Sequence, residues 1–315
     1  MEFTIGIDSP FSLDYTLESG QVFRWEKRGQ WWYGVVSGAV LKVAQEGDTL
    51  RCVSSEDSIG SNFVRSYFRL DEDIQPILAS IIKDEIMTQA VQKFYGMRLI
   101  RQEFWECLSS FVLATNSNIP RIKKMVSSVC TRFGGAVEFE GIRYFRFPQA
   151  ERVADVSVAE LRDAGLGYRA PFLKRVAESV ALQKINAGEL SLIDYERAQE
   201  SLAKILAGEK VLLGVGPKVA DCVLLYSCNK DEAFPVDIWI ARALAEWYAG
   251  LFESSLSKRL SPEGKTRLSR GEYVRISAAA RAYFGRYAGY AQQYLFMMVR
   301  DKEMRTSDQS RGQET

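Results

Sequence analysis

Residues 84–113 read DEIMTQAVQKFYGMRLIRQEFWECLSSFVL, and here the spacing of apolar side chains becomes helical. Ile86, Ala90, Val91 and Phe94, then Phe104, Leu108, Phe111 and Val112, recur at intervals of three and four, which places them on one helix face. Upstream lie short β-branched and aromatic runs at 3–7, 31–36, 40–44 and 49–53, punctuated by Arg28-Gly29, Ser37-Gly38 and Gly47-Asp48. Runs of that length and punctuation predict an antiparallel meander. Downstream the helical interval persists over 121–133, 157–164, 171–187, 194–206, 217–227, 237–248 and 277–299. Strands first and helices after, without βαβ alternation, predict an α+β fold. The expected organisation is an N-terminal antiparallel β-sheet domain over 1–94, packed on a mostly helical domain over 95–301. Residues 302–315 are polar and aperiodic and read as a disordered tail.

Composition narrows the chemistry. The chain has no histidine, so an imidazole base, a His-containing triad and a His metal site are all excluded. Carboxylates, Lys, Cys, Tyr and backbone groups remain. Five cysteines, an odd and scattered set, point to reduced thiols inside a cell. No apolar run approaches the roughly 18–20 residues of a membrane helix, and MEFTIGIDSP lacks the basic and apolar regions of a secretory signal. The formal net charge is only +1. Any polyanion must then be met by local basic clusters such as 121–124 and 169–175.

The stretch most informative about chemistry is 211–242, VLLGVGPKVADCVLLYSCNKDEAFPVDIWIAR. Gly214 and Gly216 precede Pro217, a residue suited to the first position of a helix. Two glycines one apart can take positive φ and expose consecutive amides, making an anion site at a helix start; a tight helix–helix turn without a ligand explains the same residues. Lys218 and Cys222, four apart, share one helix face. Asp237 stands just before an apolar helical run, where it fits an N-cap. Capping and catalysis are compatible, since a cap holds a carboxylate rigidly at a helix start.

Five stretches, in this order, carry a family resemblance: TLESGQVFRW (16–25), TNSNIPRI (115–122), GYRA (167–170), the hairpin LLGVGPKVADC with FPVD, and GYAQ…LF (289–296). Together they resemble the eukaryotic-type 8-oxoguanine DNA glycosylases of the helix-hairpin-helix superfamily, over nearly the whole chain except the tail. The resemblance implies a monomer acting on double-stranded DNA containing oxidised guanine, with an active site in the cleft between sheet and helical domains. It implies an intracellular location, in the cytoplasm and nucleoid or in the nucleus of a eukaryote, with no membrane and no cofactor. The damaged base would be flipped out of the duplex, because its glycosidic bond is unreachable in the stack. Lys218 would attack C1′ and leave a Schiff base, from which β-elimination gives a lyase step. Asp237 would stabilise the cationic sugar. By match, the Gly20 carbonyl would accept the N7–H that distinguishes 8-oxoguanine from guanine. Phe296 and Gln292 would stack on the base and read its Watson–Crick edge, with Cys222 on its other face. Asn116, Arg121, Tyr168 and Arg169 would fill the vacated stack, wedge the duplex and meet the opposite cytosine, and Gly214 and Gly216 would bind a phosphate.

A free lysine titrates near 10.4, so neutrality requires a shift of about three units, roughly 4 kcal/mol. A helix start supplies about 0.3–1 kcal/mol, whereas burial can supply about three to five units. Burial is therefore expected to activate Lys218, against the pull of an ionised Asp237. Two positions depart from the family pattern. Trp239 stands where some members have His, and Val299 where they have Asp. The arrangement C-x6-C-x2-C-x5-C is absent, which argues against the iron–sulfur relatives. Two competing readings are a monofunctional alkylbase glycosylase, against which Lys218 argues, and a non-catalytic hairpin module, against which Lys218 and Asp237 argue together.

Overall fold

The computed structural model describes residues 1–207, 216–260 and 268–312, excepting the side chains of 206, 207, 259 and 303–312. Gly214 lies outside the described residues. Residues 2–54 contribute a five-stranded antiparallel sheet in the order β1-β5-β4-β3-β2. Its strands are β1 (Glu2–Gly6), β2 (Trp25–Arg28), β3 (Trp31–Val36), β4 (Ala39–Glu46) and β5 (Thr49–Ser54). Ser37 and Gly38, at φ of 45° and 83°, form the two-residue turn that pairs Val36 with Ala39. A turn with both residues at positive φ matches the twist of the flanking strands and fixes their register.

The four strands expected from sequence are present, and three more were not anticipated. β2 buries only Trp25 at the sheet edge, so its apolar pattern is too short to read. β6 (Ala136–Phe139) and β7 (Ile142–Phe145) form a hairpin inside the otherwise helical half. Helices also begin earlier than position 84, at Ser61–Tyr67 and Ile74–Ile81.

Two hydrophobic cores result. One lies under the sheet and includes Ile5, Leu41, Leu50, Phe68 and Ile100. The larger is helical and already takes in Ile74, Ile77, Leu78 and Ile81, so the change of core falls some twenty residues before position 94. The run expected as one helix over 277–299 is two, Arg270–Phe284 and Ala288–Gly312. Gly285, at φ 77°, ends the first in a conformation costly for residues with a Cβ. The second continues to Gly312, so much of the stretch read as a tail has helical backbone. Extending an anchored helix avoids the nucleation cost that an isolated segment meets. Among the described residues, no helix is long and apolar enough to cross a membrane.

Buried arginines stitch the two cores together. The Arg98 guanidinium, 1% exposed, donates to the carbonyls of Pro10 (3.1 Å), Arg69 (2.5 Å) and Glu72 (2.7 Å) and to the Ser9 hydroxyl (2.7 Å). Arg69, equally buried, pairs with Asp231 at 2.8 Å. Burial strengthens such charge-assisted bonds and makes their loss costly.

Candidate active site

The helix Pro217–Ser227 starts at Gly216, and no side chain caps its first amides. Gly216 itself is extended, at φ −152°, so the left-handed backbone expected of the glycine pair is not found at this residue. Lys218 occupies the first turn, half-buried, with its ammonium 5.4 Å from the centre of the Phe111 ring. Cys222 follows one turn later and is 3% exposed. Asp237 caps the helix Ile238–Trp247, and its Oδ1 accepts from the Ile240 amide at 2.9 Å. Lysine and carboxylate therefore project from the starts of two adjoining helices.

Burial works to lower the Lys218 pKa, but Cys222 and Asp237 more than offset it and hold the ammonium above the ordinary lysine value. Burial pushes the Cys222 thiol up to about 12, so it is uncharged near neutrality. Asp237 also favours the ammonium, while its own carboxyl is pushed upward by burial against the pull of Lys218. This corrects the expectation of a lysine brought near neutrality by burial. In the resting site it is an ammonium.

Gly20 follows the helix Leu13–Glu18 at φ 81°. A Cβ there would lie 3.2 Å from Phe296 Cε1 and 3.3 Å from Ile119 Cδ1, so the Gly20 backbone and the Phe296 ring face each other directly. Three glutamines hold this segment. Gln21 donates to the Ser19 hydroxyl and the Arg98 carbonyl, both at 2.8 Å, and accepts from the Ile100 amide at 2.7 Å. Gln102 donates to the Gln21 carbonyl, and Gln293 to the Ser19 carbonyl, each at 2.8 Å. Gln293 also accepts from the Tyr226 hydroxyl at 2.5 Å, tying the Gly20 loop to the lysine helix. Tyr226 stacks on Phe111 at 5.4 Å and 12°, so the ring beneath Lys218 belongs to the same unit. Sequence reasoning missed Gln21, Gln102, Gln293, Phe111 and Tyr226. The adjacent Gln292-Gln293 pair within an apolar helical run was the available signal.

Gln292, 4% exposed, has an Oε1 with no hydrogen-bond partner. An orphaned buried acceptor costs about 1–3 kcal/mol, and this one sits at the position expected to read the base. Gly20→Ala is expected to destabilise the fold by about 1–2 kcal/mol, the cost of a left-handed alanine, with Phe296 displaced. Urea denaturation measures this, and an unchanged midpoint would show that the loop relaxes freely.

Asn116, Arg121, Tyr168 and Arg169 come together around one loop. Asn116, Arg121 and Tyr168 are exposed, and Asn116 has φ 49°. The Tyr168 hydroxyl donates to the Thr115 carbonyl at 3.1 Å. Arg169 differs from its neighbours, being 1% exposed. Its Nε and Nη2 donate to the Thr115 carbonyl at 3.0 and 2.6 Å, Nη2 also reaches the Asn116 carbonyl at 3.0 Å, and Nη1 is buried without a partner. Burial, and to a lesser degree the nearby Arg121, lower its pKa, while the Tyr168 ring below it opposes them. The two departures from the family pattern sit in different surroundings. Val299 is buried, and Trp239 lies 5.6 Å from the Arg242 guanidinium. All five cysteines are buried free thiols, and among the described residues no group of three or more Cys, Asp or Glu is placed to hold a metal.

Comparison with known proteins covers the same ground. Residues 5–108 match the family described as 8-oxoguanine DNA glycosylase, N-terminal domain, and residues 109–254 match the HhH-GPD superfamily of base excision DNA repair proteins. The N-glycosylase/DNA lyase OGG1 of Arabidopsis thaliana is 31% identical over 91% of this chain and 76% of its own length. The solved structure of MBOgg1 in complex with a low-affinity DNA ligand superposes with a TM-score of 0.82 at 32% identity, covering 96% of each chain. The Clostridium acetobutylicum 8-oxoguanine glycosylase/lyase, solved with double-stranded DNA containing cytosine opposite 8-oxoG, gives a TM-score of 0.80 at 26% identity over 96% of this chain and 98% of that one.

Proposed function

The chain belongs to the 8-oxoguanine N-glycosylase/DNA lyase family, and from that premise we propose that it excises 8-oxoguanine from double-stranded DNA and cleaves the resulting site by a lyase step. The observation that carries this reading is the site itself. Lys218 and Asp237 stand at adjoining helix starts, linked through Phe111, Tyr226 and Gln293 to a loop where Gly20 faces Phe296. Lys218 loses a proton and its nitrogen bonds to C1′. The glycosidic electron pair leaves with the base, which takes up a proton; the aminal nitrogen then gives up a proton, its electron pair opens the C1′–O4′ bond as O4′ is protonated, and a Schiff base remains. Because the resting lysine is an ammonium, its deprotonation belongs to the bound complex. Asp237 stabilises positive charge on the sugar. Gly20 accepts the lesion's N7–H, Gln292 reads the Watson–Crick edge, and Phe296 and Cys222 lie on the two faces of the base. Gly216, with Gly214, holds a backbone phosphate. No cofactor enters this chemistry, and the enzyme acts as an intracellular monomer.

Borohydride reduction with an 8-oxoguanine duplex tests the reading, since it traps a Schiff base covalently. Absence of any trapped complex alongside active excision would overturn the lysine mechanism.

Cytosine is the proposed opposite base. Its O2 and N3 both accept from guanidinium donors, whereas adenine offers only N1 beside a competing amine. A good bidentate contact discriminates by about 1–3 kcal/mol. Excision is expected to be roughly five- to 150-fold faster opposite cytosine than adenine, with Arg121→Ala and Arg169→Ala each narrowing the gap. Single-turnover rates with all four opposite bases at one salt concentration measure it, and equal rates in the wild type would remove this role from the arginines.

A further inference from the structure

Asp221 is a fully buried carboxylate on the lysine helix, and the chemistry above makes no use of it. Its Oδ1 accepts from the Tyr195 hydroxyl at 2.7 Å and its Oδ2 from the Tyr273 hydroxyl at 2.5 Å. Both tyrosines are buried. The Tyr273 oxygen accepts in turn from the amide of Val236, at 3.3 Å, one residue before Asp237. Ser277, one turn along from Tyr273, donates to the Phe234 carbonyl at 3.1 Å. The helix Arg270–Phe284 thus holds the segment leading into Asp237 at two points, and through Asp221 it also holds the lysine helix.

We propose that the Asp221–Tyr273–Val236 relay is a positioning device that sets the separation of Lys218 and Asp237 for the proposed excision reaction. Two observations make it necessary. The lysine helix has no side-chain cap, so the orientation of its first turn depends on the next anchor along, and Asp221 is three residues from Lys218. Among the described residues no direct ion pair joins Lys218 to Asp237, so their spacing is fixed by what holds each helix start. A fully buried carboxyl, which burial pushes up to about 7, also demands hydrogen bonds at both oxygens, which makes the relay stiff. Misplacement of reacting groups by about 1 Å can cost about 100-fold in rate.

The inference rests on the lysine reading above, and the test separates the two. Tyr273→Phe and Tyr195→Phe each remove one hydroxyl from the same buried carboxylate, so both should lower the melting temperature similarly. Only Tyr273 bonds the Asp237 segment directly; Tyr195 meets it at one remove, through Ser277. On a duplex carrying 8-oxoguanine opposite cytosine, Tyr273→Phe is expected to lower the saturating single-turnover rate at least tenfold with DNA affinity unchanged. Tyr195→Phe should stay within threefold of wild type. Borohydride trapping titrates the active fraction, so partial unfolding does not imitate the effect. Equal rates for the two variants, with trapping normal in the wild type, overturn the relay alone. Failure of the wild type to trap overturns the lysine reading and the relay with it. Should Tyr273→Phe not fold, Asp221→Leu decides instead, with the same tenfold loss expected and a rate within threefold of wild type overturning the proposal.

Discussion

Lys218→Gln is expected to abolish base excision and borohydride trapping together, a loss of at least about a thousandfold in rate, while duplex affinity stays within about threefold. Single-mutant losses of this size are typical when the sole nucleophile of a covalent mechanism is removed. The site offers no substitute. The Cys222 thiol, at about 12, is almost wholly protonated at neutral pH, and a neutral thiol is a poor nucleophile. The proposed DNA contacts do not use the Lys218 ammonium, because they fall on the exposed loop around Asn116 and Arg121 and on the backbone at Gly216. Gel-shift affinity and trapping yield measured on the same preparation check both halves, and undiminished trapping would remove Lys218 from the mechanism. The protonated resting state adds a pH signature. Since the free enzyme holds Lys218 as an ammonium above its usual range and the amine is the reactive form, kcat/KM should rise with pH from 6 through 8. A flat profile there would mean that the lysine is already neutral in the free enzyme.

Asp237→Asn separates three roles by the direction of its effect. As an N-cap, Asn is nearly the equal of Asp, so the helix Ile238–Trp247 should be retained with little loss of stability. If capping were the whole role, the rate would be unchanged. If Asp237 served chiefly to hold Lys218 protonated, its neutralisation would release the amine and raise the rate. If its charge stabilises the sugar cation, the rate falls by about 100- to 1,000-fold or more, in the range of other preorganised transition-state contacts. The last outcome is expected. Single-turnover rates and thermal unfolding distinguish all three, and a rate at or above wild type would reassign the residue.

Local signals made much of this molecule legible. The sheet turns announced themselves in Ser37-Gly38 and Gly47-Asp48, and the helical interval from Ile86 onward named the second domain. Ordered motifs singled out Lys218, Asp237, Gly20 and Phe296 as candidate site residues. Elements with weak amphipathicity stayed hidden. β2 buries a single residue, and Gly285 interrupts a run whose apolar spacing continues on both sides. The supports of the pocket were hidden for another reason. Gln293 meets Ser19 across 274 residues and Gln21 meets Arg98 across 77, and no local pattern encodes such partners. The burial of Arg169 has the same origin, because the carbonyls that hold it belong to a loop some fifty residues earlier.

The stitching of sheet to helices carries one more consequence. Arg98, Arg69, Gln102 and Gln293 cross the seam between the two cores, and beside them Gln21, Gln102 and Gln293 hold the Gly20 loop through the carbonyls of Arg98, Gln21 and Ser19. Any hinge opening along that seam would dismantle the pocket. Clam-like closure over a substrate, which many two-lobed enzymes use to sequester it, would have to break these buried bonds. The deformation needed to bring base and lysine together falls on the nucleic acid, whose bending and unstacking cost depends on the sequence around the lesion. Neighbouring base steps that kink easily should then be searched and emptied sooner than stiff ones, a preference written into the mechanics of the duplex.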